Sequence, residues 1–139
     1  MNKNYQVINA DDVKDFYEKT DVPGEFRRLT QALGAEQLGI TLIRIPPHSD
    51  FEQGTGHFHD KIEELYLITK GVLTMRFDDD IKKVGAGSVV RVAPKTKRSH
   101  RNEGDETVEM WAISKQLEKD DSTLIRTFWE ASPLAKQKS

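Results

Sequence analysis

The sequence contains no cysteine, which excludes disulfide bonds, thiolate zinc sites and cysteine nucleophiles. Any metal must therefore be held by histidine, carboxylate or water ligands. Net charge is also small, because 21 Lys and Arg residues face 23 Asp and Glu residues, for a formal net charge of -2. A chain with this balance has no long-range field to attract nucleic acid or an anionic membrane, so we expect neither partner.

Long apolar runs are missing as well. No segment approaches the roughly 20 consecutive apolar residues that span a bilayer, and the first residues lack the apolar core of a signal peptide. We therefore expect a cytoplasmic protein. The 139 residues, 36% of them hydrophobic, suit one domain over residues 1–139.

The central part of the chain reads as a series of short strands. Five runs are rich in β-branched or aromatic residues and are bounded by Gly, Pro, Asp or Asn: residues 40–45, 64–68, 72–77, 88–92 and 107–113. Turn residues at such short spacing favour an antiparallel barrel or sandwich over βαβ units. The run from Asp78 to Asp80 lacks the ligand spacing of a calcium loop and predicts a hairpin turn.

The N-terminal extension, residues 1–35, is predicted to contain a strand and a short helix. Residues 5–8 read as an opening strand. Residues 10–19 read as a helix, because Val13, Phe16 and Tyr17 fall at positions i, i+3 and i+4.

The C-terminal tail, residues 118–139, is predicted to be helical. Over residues 121–132 the apolar side chains follow helical spacing; they are Leu124, Ile125, Phe128 and Trp129. We expect this helix to pack on the strands or on a second subunit, and the last residues, 136–139, to fray.

The most informative stretch is GHFHDKIEELYLITKG, residues 56–71. In an extended chain the side chains of His57 and His59 point to one face. After a turn, the returning strand places Glu64 and Tyr66 on one face, which favours Glu64 over Glu63 as the inward carboxylate. Two imidazoles and one carboxylate form a set that binds iron, manganese, nickel, cobalt or zinc, so we predict a divalent transition metal at His57, His59 and Glu64.

This stretch resembles the first motif of the cupin family, G(X)5HXH(X)3,4E(X)6G. The match consists of His57, His59, Glu64 and Gly71, whereas the opening glycine of the motif falls on Phe51. The resemblance implies an all-β, antiparallel jelly-roll barrel, with a core over residues 40–114 and short flanking helices.

The second cupin motif, G(X)5PXG(X)2H(X)3N, is matched less completely. Its ends resemble residues 87–94 and 101–104, with Asn102 at the asparagine position, and the fourth metal ligand of the family then falls on Arg98. A guanidinium does not ligate a metal. Either His100, on the same face of an extended strand, supplies the fourth ligand, or Arg98 anchors an acidic group of the substrate. Tyr66, next to Glu64 on the inner face, is a further candidate for substrate binding.

The resemblance implies a small metal-dependent protein, typically a homodimer, that acts on a small oxygenated or acidic molecule as dioxygenases, isomerases and decarboxylases of the family do. It does not identify catalytic residues. A different class of function is a binding or sensing module for a sugar or acid, favoured by the loss of the fourth histidine. A purely structural dimer with a filled pocket is a third possibility.

Overall fold

The computed structural model of the protein describes residues 4–130. Its strands are β1 (Glu25–Arg28), β2 (Leu38–Ile45), β3 (Gly56–His59), β4 (Glu64–Lys70), β5 (Val72–Phe77), β6 (Asp80–Gly85), β7 (Val89–Val92), β8 (Arg98–Arg101), β9 (Val108–Lys115) and β10 (Ser122–Ile125). They form two five-stranded sheets, in the orders β1-β2-β9-β4-β7 and β10-β3-β8-β5-β6. All pairings within these sheets are antiparallel, which confirms the all-β prediction. Closure into a barrel stays a prediction.

The five runs predicted as strands correspond to β2, β4, β5, β7 and β9. The hairpin turn predicted at Asp78 to Asp80 is confirmed as well, because β5 and β6 pair through Phe77 and Asp80 at that point. In the described residues, helical structure is limited to a 3-10 helix, Ala10–Asp12, and to α1, Thr30–Leu33. Neither is long and apolar enough to cross a membrane.

The hydrophobic core lies where the inward faces of the strands meet. On β4 the side chains alternate, so that Tyr66 and Ile68 are buried while Leu65 is exposed. Other strands contribute the remaining core residues: Ile43, Ile45, Leu73, Met75, Val84, Val92, Val108 and Met110, with Phe51 from the loop after β2. Each such side chain stabilises the fold by about 1.5–3 kcal/mol through burial.

Two glycines are required by close contacts near the centre of the fold. Gly71 joins β4 to β5 at φ 78, and a Cβ there would lie 2.8 Å from the carbonyl oxygen of Thr107. Gly56 begins β3, where a Cβ would lie 2.6 Å from the ring of Phe128. Glycine is favoured at the first position by its backbone conformation and at both by the lack of space.

The strand predicted over residues 5–8 is wrong. These residues form no strand, and the side chains of Tyr5 and Val7 are exposed. Asp15 instead forms a β-bridge with Arg27 of β1. The free backbone edge of β1 is therefore paired with a part of the chain that follows residues 5–8.

The helix predicted over residues 10–19 is also wrong beyond the short 3-10 helix. The carboxylate of Asp15 accepts hydrogen bonds from the backbone N–H groups of Tyr17, at 3.0 Å, and Phe26, at 2.9 Å. An aspartate that binds the N–H two residues later competes with helical hydrogen bonding. The apolar residues pack against β1, and the rings of Tyr17 and Phe26 meet edge to face at 5.7 Å.

At the C-terminal end, the helix predicted over residues 121–132 is wrong in its described part. β10 pairs with β3 along its length, with Ser122 opposite His59, and a turn follows over residues 126–130. Residues 131–132 and the predicted frayed tail, 136–139, lie outside the described residues. Without β10, the backbone of β3 would be an open sheet edge, and pairing satisfies groups that a helix would leave exposed. Phe128 and Trp129 are buried, but they lie in this turn and not in a helix.

Candidate metal centre

The two histidines of the predicted metal site lie on β3, and the carboxylate lies at the start of β4. His57 and His59 are separated by one residue, so strand alternation directs both side chains to the same side, where their ring centroids lie 5.1 Å apart. The chain then reverses and β4 begins with Glu64. The structure therefore brings together the three residues that the sequence pattern selected.

The ligand atoms of this group converge at the spacing that a metal requires. Nε2 of His57 and Nε2 of His59 each lie 3.9 Å from Oε1 of Glu64, and one ligand atom from each residue lies within 4.8 Å of the others. A tetrahedral or octahedral metal with bonds near 2.1 Å holds neighbouring ligand atoms roughly 3–4 Å apart. The donor set therefore fits a divalent transition metal after small side-chain movements.

Each histidine has a second carboxylate at its other ring nitrogen. Nδ1 of His59 lies 2.7 Å from Oδ1 of Asp121, and Nδ1 of His57 lies 3.9 Å from Oε2 of Glu52. A carboxylate at Nδ1 favours the tautomer in which Nε2 keeps its lone pair, and this is the form that ligates a metal. Both imidazoles thus present Nε2 toward Glu64.

Asp121 also holds the turn between β3 and β4. Its Oδ2 accepts the backbone N–H groups of Lys61, at 2.8 Å, and Ile62, at 3.3 Å. Burial raises the pKa of the Asp121 carboxyl, but these hydrogen bonds and His59 outweigh it and lower the pKa below its usual value. The residue before β10 therefore fixes both a candidate ligand and the turn behind it.

Arg98 lies against Glu64 rather than free in the pocket. It is almost completely buried, and its Nη2 lies 2.9 Å from Oε1 of Glu64. Its Nη1 donates to the carbonyl oxygen of Thr96 at 2.9 Å, and its Nε to the hydroxyl of Tyr66 at 3.3 Å. Every nitrogen of the guanidinium is engaged by the protein itself.

Glu64 is the centre of this network. The hydroxyl of Tyr66 donates to the same Oε1 that Arg98 binds. Burial raises the pKa of Glu64, but the nearby His57 and the hydrogen bonds from Tyr66 and Arg98 prevail and lower it to about 2. Burial raises the pKa of Tyr66 well above its ordinary value, and the Glu64 charge adds to that effect. The site therefore contains an ionised carboxylate and a neutral phenol.

The charge state of His57 follows from the same carboxylates. Burial lowers the pKa of its imidazole, but Glu52 and Glu64 raise it to about 9. In the metal-free protein this ring is protonated at neutral pH. A metal at the site must displace that proton.

His100, the candidate fourth ligand, lies on β8 two residues after Arg98, as the strand prediction required. It is buried, its ring stacks on Phe51 at 6.2 Å, and its Nε2 lies 3.0 Å from Oε1 of Glu52. The described residues form two groups of potential ligands, His57–His59–Glu64 and His59–Asp120–Asp121, and neither contains His100. His100 therefore shares the neighbourhood of the site and contacts its supporting carboxylate.

A cavity of about 200 Å³ adjoins the centre. Its lining residues come from both sheets: Phe26, Thr41, Ile43, Phe51, Glu52, His57, Glu64, Tyr66, His100, Met110 and Ala112. A larger depression of about 560 Å³ lies elsewhere and includes Leu38, Leu65 and Ile113, without any histidine. The smaller cavity is lined by two of the candidate ligands, His57 and Glu64, so it is the candidate site for a small molecule.

The surface residue Glu63 behaves as the sequence indicated. Glu63 points away from the site and pairs with Arg91 at 2.6 Å, which confirms the preference for Glu64 as the inward carboxylate. Sequence reasoning missed Glu52 and Asp121, because Asp121 reaches His59 from far along the chain and Glu52 is held in place by β8. Only their position, shortly before β3 and shortly before β10, offers a local signal.

Comparison with known proteins agrees with this architecture. A protein-family model described as Cupin_2, a cupin domain, matches residues 41–114. No curated protein matches the sequence.

Three solved structures illustrate the likeness. A cupin protein from Bacteroides fragilis has 20% sequence identity and a TM-score of 0.67, covering 84% of this chain and 88% of its own. A sugar phosphate isomerase of the cupin superfamily from Silicibacter pomeroyi has 16% identity and a TM-score of 0.66, covering 92% and 96%. The polyketide cyclase RemF from Streptomyces resistomycificus has 16% identity and a TM-score of 0.68, covering 96% and 93%. At these identities the likeness concerns the fold.

Proposed function

The chain belongs to the cupin family, as the match over residues 41–114 shows, and from this premise we propose that it binds a divalent transition metal through His57, His59 and Glu64. The bound metal serves a reaction on a small oxygenated or acidic molecule held in the adjoining cavity. One observation carries the proposal: two imidazole nitrogens lie 3.9 Å from one carboxylate oxygen. Iron, manganese, nickel, cobalt and zinc all suit this donor set.

When bound, the metal would supply Lewis acidity or oxygen activation at its open coordination positions. The protein's own residues hold and orient the site. Asp121 keeps the imidazole of His59 in the ligating tautomer. Glu52 lies 3.9 Å from Nδ1 of His57, where its charge acts on that ring without a hydrogen bond. Tyr66 and Arg98 fix the carboxylate of Glu64.

The roles of the remaining candidates follow from their contacts. Arg98 is proposed as a charge partner of Glu64 rather than as a free anchor for substrate, because each of its nitrogens already binds the protein. His100 is proposed to face the ligand from the cavity wall rather than to complete the metal site, since its Nε2 lies 3.0 Å from Glu52.

The type of reaction is left open by the fold. The related structures include proteins described as a sugar phosphate isomerase and a polyketide cyclase, and one fold supports many chemistries. The small volume of the cavity, about 200 Å³, favours a metabolite of few atoms over a polymer.

A second function is supported by the Arg98–Glu64 ion pair. The guanidinium supplies a positive charge to Glu64 at 2.9 Å without any metal. A protein that relies on this pair would bind a sugar or an acid in the cavity without turnover. In the metal-dependent function, a bound metal neutralises the carboxylate of Glu64. In the binding module, Arg98 alone neutralises it.

Metal analysis distinguishes them. Protein purified without an affinity tag is expected to carry close to one equivalent of a transition metal, lost in His57→Ala. His48→Ala is the matched control, because His48 is an exposed histidine paired with Asp105 on a loop. A metal-free wild-type protein that binds sugars or acids would support the binding module, and equal metal content in both variants would contradict the proposed ligands. A homodimeric assembly and a cytoplasmic location stay predictions.

A further inference from the structure

A second polar centre lies in the same cavity as the proposed metal ligands. Glu52, from the loop before β3, and His100, from β8, both line this cavity together with His57 and Glu64. In the described part of the chain, neither belongs to the group of candidate ligands formed by His57, His59 and Glu64. Their chemistry is therefore available for something other than the metal.

The carboxylate of Glu52 has one fixed oxygen and one available oxygen. Oε1 accepts the backbone N–H of His100 at 3.1 Å and the hydroxyl of Ser99 at 3.2 Å. Oε2 faces Nδ1 of His57 at 3.9 Å, beyond hydrogen-bond distance, and forms no hydrogen bond within residues 4–130. The side chain is thus held rigidly with Oε2 able to accept a donor.

His100 also lines the cavity, and it has a polar atom without a partner among the described residues. Its side chain is 6% exposed, and its Nδ1 has no hydrogen-bond partner among the described residues. Burying a ring nitrogen without a partner is unfavourable. A hydrogen-bonding group on a bound molecule would remove this penalty, and stacking on Phe51 keeps the ring in position.

The charge of the cavity decides which chemical group of a ligand can bind beside Glu52 and His100. Its lining includes two carboxylates, Glu52 and Glu64, two histidines, His57 and His100, and no lysine or arginine among the described residues. Arg98 is absent from the lining, and each of its three nitrogens already donates to the protein. Much of the remaining wall is apolar: Phe26, Ile43, Phe51, Met110 and Ala112. An anionic group beside Glu52 would be repelled, whereas a hydroxyl group would find an acceptor.

We propose that Glu52 and His100 bind the hydroxyl group of a small hydroxylated ligand whose other, oxygen-bearing end lies at His57, His59 and Glu64. The pair rejects a ligand that carries a second carboxylate at the hydroxyl position. This inference rests on the proposed function for the metal-facing end, and it narrows the ligand class to a molecule with an oxygen donor at one end and a hydroxyl at the other.

Two probes of equal length test it. 4-Hydroxybutyrate and succinate share a carboxylate at one end, and at the other end one carries a hydroxyl and the other a second carboxylate. Their affinities are measured by calorimetry on the full chain, after the metal content of the same sample has been determined. We expect 4-hydroxybutyrate to bind about tenfold or more tightly than succinate, because only succinate places a charge against Glu52.

The variants separate this role from folding. Glu52→Gln keeps the shape and the Oε1 contacts but removes the charge, so the preference is expected to shrink to about threefold or less. Glu63→Gln, at an exposed carboxylate on the outer surface, is the matched control and keeps the wild-type preference. His100→Phe keeps the stacking on Phe51 without ring nitrogens and weakens 4-hydroxybutyrate more than succinate. If Glu52→Gln does not fold, the ratio of the two affinities in the wild-type protein and the His100→Phe variant still test the proposal.

Equal or tighter binding of succinate to the wild-type protein would overturn the inference. So would a preference that Glu52→Gln leaves unchanged, or failure of both probes to bind. A protein that loads no metal yet keeps the preference contradicts the proposed metal site alone. One that loads metal and shows no preference overturns this inference alone.

Discussion

Nδ1 of His59 lies 2.7 Å from Oδ1 of Asp121, a residue 62 positions later in the chain. The contact joins a candidate metal ligand on β3 to the residue that precedes β10, and β10 itself pairs with β3. A strand at the edge of the second sheet therefore both completes the sheet and orients a ligand.

Replacement of Asp121 by Asn tests that orientation. The amide no longer stabilises the Nδ1–H tautomer of His59 by charge, so metal affinity is expected to fall about 10–100-fold. Competition against a chromophoric chelator measures the affinity. Asp105→Asn is the matched control, since Asp105 contacts the exposed His48 at 2.6 Å, outside the candidate site. Equal affinity in the two variants would show that Asp121 does not position the ligand.

Replacement of Arg98 by His tests the competition for Glu64. The change removes a positive charge 2.9 Å from the carboxylate and places an imidazole where the resemblance expects a fourth ligand. Metal affinity is expected to rise about tenfold or more, because a cation no longer opposes the metal. The free energy of unfolding of the metal-free protein is expected to decrease by about 1–3 kcal/mol, because the buried carboxylate of Glu64 loses a hydrogen-bond donor.

Urea unfolding with and without metal measures both effects. Arg91→His serves as the control, since Arg91 pairs with Glu63 on the exposed surface. A metal affinity that does not change in Arg98→His would show that Arg98 does not oppose metal binding.

The pKa of His57 predicts a pH dependence. The pKa rises from 6.5 to about 9 in the folded protein, so the folded state retains a proton that the unfolded state releases in this window. The stabilisation is complete below pH 6.5 and is lost as the pH rises through 9. The free energy of unfolding of the metal-free protein should therefore decrease by at most about 1.4 kcal/mol per pH unit.

Metal affinity should change in the opposite direction over the same window, because the metal displaces this proton. Unfolding curves and chelator competition at several pH values measure the two trends. His57→Gln, which has no ring to titrate, is expected to flatten the stability curve. A metal-free stability that stays constant between neutral pH and the His57 pKa would contradict the assignment.

Gly71 and Gly87 give a matched pair for the backbone. Both adopt positive φ, 78 and 90, but a Cβ at Gly71 would meet the Thr107 carbonyl, whereas a Cβ at Gly87 would meet nothing within 4 Å. Gly87→Ala is expected to lower the free energy of unfolding by about 1 kcal/mol, because only the backbone conformation is unfavourable. Gly71→Ala is expected to lower it by about 2 kcal/mol or more, because the added Cβ also meets a carbonyl oxygen. Urea unfolding compares them. Equal losses would mean that the β4–β5 connection has room for a side chain.

The predictions from sequence succeeded where they depended on local alternation. A period of two placed His57 with His59 and separated Glu64 from Glu63, because successive side chains of a strand point to opposite faces whatever the rest of the chain does. The five strand predictions rested on another local property, namely runs of β-branched and aromatic residues bounded by turn residues. The match of His57, His59, Glu64 and Gly71 to a family motif added the expected jelly-roll architecture.

The predictions failed where the partner of a segment decided its structure. Leu124, Phe128 and Trp129 have helical spacing, yet the open edge of β3 draws residues 122–125 into a strand. Asp15 ends the predicted N-terminal helix through its hydrogen bond to Phe26, which no local pattern reveals. In both segments, tertiary hydrogen bonds outweigh a modest helical preference.

The sequence by itself determined the β-rich architecture and the three side chains of the candidate centre, because both follow from strand periodicity and short-range spacing. Only the tertiary structure decided that Asp121 and Glu52 back the histidines, and that the guanidinium of Arg98 is bound to Glu64. Asp121 and Arg98 lie far along the chain from their partners, and Glu52, although close to His57 in sequence, is held in place by β8. The energies of these contacts depend on burial and distance, which exist only once the sheets have packed.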